Sequence, residues 1–340
     1  MDLEEIEDLK ERRNQPMKHA TCLSAVTIVA VLLFSVGASA KPVELKAVGF
    51  LPKDHALMVP ANDLVKRINA ELKDRVIINL AGGGEVIPPM QQADAVRSGV
   101  VDMIFNVPAY FTAMFPEGWT YFVSKYTPTE ERKPGGFYDF MVKRFQKIDM
   151  MYLGRWLYSP FYLWVSKPVA HLAELKGLKM RTAAHYDRFM QEMGIVPVTI
   201  MPTDVYTALE RGNVQGFGWP LLGPREMGWA DKCKYIIDHP FHPASNGVIV
   251  MNLKKWNSLP KEIQMKILEI TAKFEPDMVT HFNKEDEKEW KELEKLGAKR
   301  IYFPPAEAKE YIDIIYRVDW QILTEKVPDL VPELKRVTGF

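Results

Sequence analysis

From Val43 onward the apolar positions of the chain switch repeatedly between two periods. Val43–Phe50 (VELKAVGF) alternates apolar and polar residues, the period-two pattern of a half-buried strand. Leu64, Val65, Ile68 and Leu72 then recur at helical spacing, which predicts a helix over Pro60–Leu72 with the proline in its first turn. Val76–Leu80 reads as a second strand, closed by Gly82-Gly83-Gly84, which reads as a turn with a mobile backbone. A helix is expected over Pro89–Ser98 with Gly99 as its C-cap, followed by a buried strand over Val100–Phe105. This βαβαβ order implies parallel strands with helices on the sheet faces.

The same alternation restarts after Met150. Strands over Leu178–Thr182 and Val196–Ile200 flank a helix near Tyr186–Met193. A helix over Thr203–Arg211, capped by Thr203 or Asp204 and stopped by Gly212, leads to a strand over Val214–Trp219. Two α/β lobes are the economical reading. The last third is helical, with amphipathic segments over Leu259–Phe274 and Asp277–Leu296 separated by Pro276. The charged run Lys284–Lys295 reads as a solvated helix face carrying i,i+4 pairs.

The N-terminus follows different rules. Lys10, Arg12, Arg13 and Lys18 precede an uncharged stretch from Ala20 to Ala40, with an apolar heart over Ala25–Val36 and Ala38-Ser39-Ala40 at its exit. That order predicts a signal peptide over residues 1–40, cleaved after Ala40. An uncleaved membrane anchor is the alternative, since the stretch is long enough to span a bilayer. Met17 is a second candidate start, because the segment before it is more acidic than a signal usually is. No other segment is long and apolar enough to cross a membrane, so the expected location is the periplasm.

Composition narrows the classes. The 44 Lys and Arg balance 44 Asp and Glu, which argues against a broad nucleic-acid footprint. Residues 1–40 hold six of the acids and four of the bases, so beyond them the net charge is only +2 and any anion capture must rest on local placement. Apolar residues make up 47% of the chain, enough for packed cores. Of the two cysteines, Cys22 leaves with the signal, and Cys233 then has no partner and reads as inert.

Catalytic motifs are missing. There is no G-x-G-x-x-G, H-E-x-x-H, C-x-x-C or G-x-S-x-G. His239 and His242, three apart in DHPFHP, form a weak metal pattern without a third ligand nearby. An exported α/β hydrolase using His185 or His239 remains the alternative from another class, without a nucleophile motif behind it.

One block is specific. Leu175–Pro220 contains Gly177-Leu178-Lys179-Met180-Arg181, then Gly194 and Pro197, then Asp204-Val205-Tyr206-Thr207-Ala208-Leu209, Gly212, Val214, Gly216 and Pro220. Val96, Gly99, Asp102 and Met103 form an earlier, shorter match. This pattern resembles the DctP-family solute-binding subunit of tripartite ATP-independent periplasmic (TRAP) transporters. The resemblance implies a two-lobed α/β fold of the periplasmic-binding-protein type (type II-like), with a mixed sheet in each lobe and a long C-terminal helix linking them. It places lobe I at 41–158 plus 249–285 and lobe II at 159–248 plus 286–340. It further implies a small organic acid as ligand, small and large integral-membrane components as partners, and no enzymatic activity; the protein is expected as a monomer, with a dimer as the alternative.

By the same resemblance Arg181 is the carboxylate anchor, and the planar fork of a guanidinium suits that role. The other residues expected at the ligand are Trp219, Phe217, Asn106, His185, Phe50 and Tyr110, with Val107 nearby. The departures matter as well. Gly218 stands where 2-oxo-acid binders usually carry an acidic metal contact, so no metal and no cofactor are expected. Ser159-Pro160-Phe161 stands where a second arginine is common, and Arg155 is the candidate substitute if the strand register allows. An aromatic pocket with one strong anchor favours a monocarboxylate with an apolar, aromatic or 2-oxo tail.

Overall fold

The structure, a computed structural model, describes residues 41–183, 186–242 and 247–340. The signal-peptide reading of residues 1–40 and the site residue His185 therefore lie outside the described residues.

Eleven strands among the described residues make two sheets. They are β1 (Val43–Gly49), β2 (Val76–Leu80), β3 (Met103–Asn106), β4 (Met150–Leu157), β5 (Phe161–Val165), β6 (Lys179–Thr182), β7 (Val196–Thr199), β8 (Gly216–Trp219), β9 (Tyr235–His242), β10 (Gly247–Asn252) and β11 (Lys299–Ile301). The first sheet has the order β2-β1-β3-β10-β4 and the second β11-β9-β5-β8-β6-β7. Both are mixed: β1 pairs in parallel with β2 and β3, while β10 runs antiparallel to β3 and β4. In the second sheet β6 runs parallel to β7 and β8, and β5 antiparallel to β8 and β9.

The first sheet is buried on both faces. Leu45, Ala47, Met103, Phe105, Ile249 and Met251 enter one core, and the alternate residues Val48, Ile104, Val248 and Val250 enter another. Double burial explains why β4 and β10 are nearly continuous apolar runs with no alternation to read. The chain leaves the first sheet after β4, comes back to it after β9, and then forms one helix over Lys261–Lys295.

That helix corrects the expectation of two segments. Pro276 sits inside it, and its missing N–H normally breaks a helix. Here Phe274, Glu275, Met278 and Phe282 are all buried around the proline, so tertiary packing on both sides offsets the lost hydrogen bond. The helix reaches both sheets: Glu275 accepts from Arg132 and from the Arg155 backbone N–H, while Trp290 packs edge-on against Tyr162 of β5.

Two smaller corrections concern the first lobe. The strand expected over Val100–Phe105 begins only at Met103, and Val100 is exposed. The glycine run is used for close approach rather than mobility: a Cβ on Gly83 would stand 2.1 Å from the Leu51 carbonyl, because the loop packs on the backbone that follows β1. By contrast Gly99 does cap its helix in the left-handed conformation, with φ of 81°.

Candidate functional site

Parallel strands deliver their loops to one end of a sheet, and the carboxyl ends of β1, β3, β6 and β8 converge here on a narrow cavity. From the first sheet come Phe50 and Leu57 after β1, Val107 and Tyr110 after β3, and Leu157 at the end of β4. From the second come Phe161, Arg181, Ala183, Tyr186, Trp219 and Pro220. The walls close tightly, leaving a cavity of only about 20 Å³. Among the described residues that form them, Arg181 alone is charged.

Arg181 is 1% exposed. Its Nε donates to the Ile200 carbonyl at 2.9 Å, and Nη1 donates to the Tyr186 hydroxyl at 3.0 Å and to the Gly218 carbonyl at 3.4 Å. Its guanidinium also lies 5.2 Å from the centre of the Trp219 ring, a cation–π contact. Every one of these partners is neutral. Among the described residues no carboxylate pairs with Arg181, so a full positive charge is held out of water on dipoles alone. Burial of that kind costs several kcal/mol unless a counter-charge arrives.

The surrounding groups are tuned to remain neutral. Burial pushes the Tyr186 phenol up to about 12, against the opposing pull of Arg181, so its hydroxyl stays protonated and donates to the Gly218 carbonyl at 2.9 Å. Burial likewise raises the Tyr110 phenol, again opposed by Arg181. Trp219 is buried, and among the described residues its indole N–H has no hydrogen-bond partner, whereas the indoles of Trp156 and Trp164 donate to the carbonyls of Asn106 and Trp219. An unpartnered buried donor beside an unpaired cation suits an oxygen-rich anion.

Of the residues singled out from the sequence, Phe50, Tyr110, Arg181 and Trp219 line this one cavity, two from each side; the Phe50 and Tyr110 rings stand 4.9 Å apart. Two others lie elsewhere. Asn106 is fully buried, with its amide nitrogen on the Pro89 carbonyl and Gln92 Oε1 and its oxygen accepting from the Val107 N–H. Its capacity is spent fixing the start of the helix Pro89–Ser98. Phe217 is one pleat further from the end of β8 than Trp219, and is closed between Trp164 and Trp229.

Arg155 does not substitute for a second anchor. It is 1% exposed and bidentate with the buried Glu131, Nε lying 2.9 Å from Oε2. Phe161, in the stretch where the family commonly carries a second arginine, is itself part of the cavity wall. Leu57, Leu157, Phe161 and Tyr186 were not singled out from the sequence, since each comes from a different segment and carries only an apolar or aromatic signal. Gly218 has a local reason to be small: a Cβ there would meet the Tyr186 ring at 2.9 Å.

The remaining candidates have other occupations. His239 Nε2 accepts from the Phe303 N–H, and His242 is fully buried on Asp319, so the two do not converge. Among the described residues there is no cluster of three or more metal-ligating side chains. Cys233 is buried, and its thiol is pushed up to about 12 by desolvation, which suits an inert side chain. Among the described residues no helix is long and apolar enough to cross a membrane.

Two mixed sheets close on a cavity with one uncompensated cation, an arrangement that suits the holding of a small anion. The family model described as bacterial extracellular solute-binding protein, family 7 (DctP) matches residues 48–321, and the chain belongs to that family. Membership makes it an extracytoplasmic solute-binding protein and not an enzyme, and nothing supports the hydrolase alternative. Among curated proteins it is similar to a monocarboxylate 2-oxoacid-binding periplasmic protein of Nostoc sp., 24% identical over 63% of this chain and 61% of that one. Among solved structures it is similar to a TRAP periplasmic solute-binding protein of Desulfovibrio salexigens with bound orotic acid, with a TM-score of 0.78 at 17% identity, covering 87% of this chain and 97% of the other. An extracytoplasmic solute receptor of Bordetella pertussis that binds pyroglutamic acid is similar too, with a TM-score of 0.75 at 19% identity over 88% and 100% of the two chains. At these identities the structures support the fold.

Proposed function

We propose that this protein captures a small monocarboxylate with an apolar, aromatic or 2-oxo tail between its two lobes and delivers it to the membrane subunits of a TRAP transporter. The observation that carries this reading is Arg181, buried and without a carboxylate partner among the described residues, in a cavity otherwise lined by aromatic and aliphatic side chains. The ligand carboxylate supplies the missing counter-charge. The Trp219 N–H offers a second donor for an oxygen on the neighbouring carbon, which suits a 2-oxo group. A dicarboxylate or a polyhydroxylated sugar acid would strand polar groups against Phe50, Phe161 and Leu157. The Nostoc relative, named for monocarboxylate 2-oxoacids, points the same way.

Isothermal titration of the purified protein with 2-oxo monocarboxylates, aromatic monocarboxylates, dicarboxylates and sialic-type sugar acids tests the reading. Tightest binding is expected in the first two groups. Binding confined to dicarboxylates or sugar acids overturns it.

A further inference from the structure

Arg181 stands between two compartments. Behind Tyr110 and Ala183, which belong to both walls, a second and roomier cavity of about 60 Å³ is lined by Met90, Thr199, Ile200 and Met201. The compartments differ in kind. The first is walled by rings that hold one another, with Phe161 against Trp219 and Tyr186 and Phe50 against Tyr110. The second is walled by two thioethers with room to move: Met90 is 65% exposed and Met201 37% exposed. Met90 sits on the helix Pro89–Ser98 of the first sheet's layer, and Met201 follows β7 of the second, so this compartment is also built from both sides. Among the described residues its one charged wall group is again Arg181, and the Thr182 hydroxyl is already committed to the Ala183 carbonyl.

We propose that the Met90–Met201 compartment receives the distal tail of the ligand whose carboxylate Arg181 holds, so that the ligand class is monocarboxylates with an extended, flexible apolar tail. The inference rests on the carboxylate reading of Arg181. An unbranched thioether side chain adjusts to tails of different length and shape, whereas the ring-walled compartment fixes the head. Selectivity is then strict at the carboxylate end and tolerant at the other. Each methylene that enters the second compartment should tighten binding about fourfold.

Titration calorimetry with straight-chain 2-oxo acids from 2-oxobutanoate to 2-oxooctanoate tests this. Affinity is expected to rise over at least the first three added methylenes. Met201→Trp, which fills the compartment, should cut the preference for the eight-carbon over the four-carbon acid about tenfold or more. Met90→Lys, at an exposed position that does not threaten folding, should lower the same ratio by placing a hydrated charge in the tail's path. Affinity that falls with each methylene, or a chain-length ratio unmoved in both variants, overturns the tail compartment while leaving the carboxylate anchor standing. If none of these acids binds and a sugar acid does, the carboxylate reading fails and the tail compartment with it.

Discussion

Two arginines in this molecule are equally buried and opposite in electrostatic circumstance. Arg155, in the layer of the first sheet, is clamped by Glu131, which Ser124 also holds at 2.7 Å. Arg181, in the second sheet, is met among the described residues only by neutral oxygens and an aromatic face. The first is a completed ion pair and belongs to the scaffold. The second is an open valence, and its counter-charge is expected from outside. Burial alone does not separate a structural arginine from a binding one; the inventory of partners does.

Substitution should break that symmetry most visibly in stability. Arg155→Met leaves Glu131 buried without its cation and should cost about 3–5 kcal/mol in urea unfolding. Arg181→Met removes a charge that had no partner, so its stability should stay within about 1 kcal/mol of wild type or exceed it. If both variants unfold alike, Arg181 is scaffold and the contrast collapses. Binding should show the reverse order. Arg181→Met should weaken monocarboxylate binding by about 2–5 kcal/mol, roughly 30-fold or more by calorimetry, and near-native affinity would remove the anchor.

A smaller effect sharpens the ligand side. Trp219→Phe keeps the ring and deletes the unpartnered N–H. It should cost about 1 kcal/mol, roughly fivefold, for 2-oxo acids and little for acids lacking that oxygen. An equal loss for both groups would make the indole a packing element only.

A last effect, read through pH, concerns a buried acid that resolves the same problem by another route. Asp286 on the long helix is buried, with Ser159 Oγ at 3.5 Å from one carboxyl oxygen and, among the described residues, no hydrogen-bond partner on the other. Desolvation, with Glu289 and Glu285 adding to it, holds its carboxyl at about 7, up from 3.8. An arginine cannot shed its charge at these pH values, but an aspartate can take up a proton. Between about pH 4 and 7 the folded protein therefore keeps a proton that the unfolded chain has released, and stability falls as pH rises through that window. Asp286→Asn should flatten the slope and raise Tm more at pH 8 than at pH 4.5. A thermal-shift profile that keeps its slope would assign the titration to another group.

Much of the scaffold was legible because its signals were local. The strand Val76–Leu80, the helix Pro89–Ser98 and its Gly99 cap follow from spacing within a few residues. β4 and β10 gave no period because both of their faces are buried. Pro276 misled because burial on either side of it, invisible in one segment, outweighs the local preference. In the site, Arg181 was readable through the Gly177–Arg181 motif. Tyr186 and Phe161 were not, since an aromatic residue signals packing until its neighbours are known. Asn106 and Phe217 stand close to the cavity in sequence, but one is consumed by hydrogen bonds to the Pro89–Ser98 helix and the other lies one pleat too deep.

The proline within the long helix has a mechanical consequence. Thirty-five residues make a rod about 50 Å in length. It is bolted to one sheet at Glu275 through Arg132 and the Arg155 N–H, and to the other layer at Glu289 through Arg225 and at Trp290 on Tyr162. Any rotation of one sheet against the other has to bend the stretch between those bolts or shear one of them. Pro276 adjoins the first of those bolts and leaves the Ala272 carbonyl, one turn before it, without its helical N–H partner, so the rod is weakened in flexure where the load enters. The chain has put its compliant joint inside an element usually chosen for rigidity.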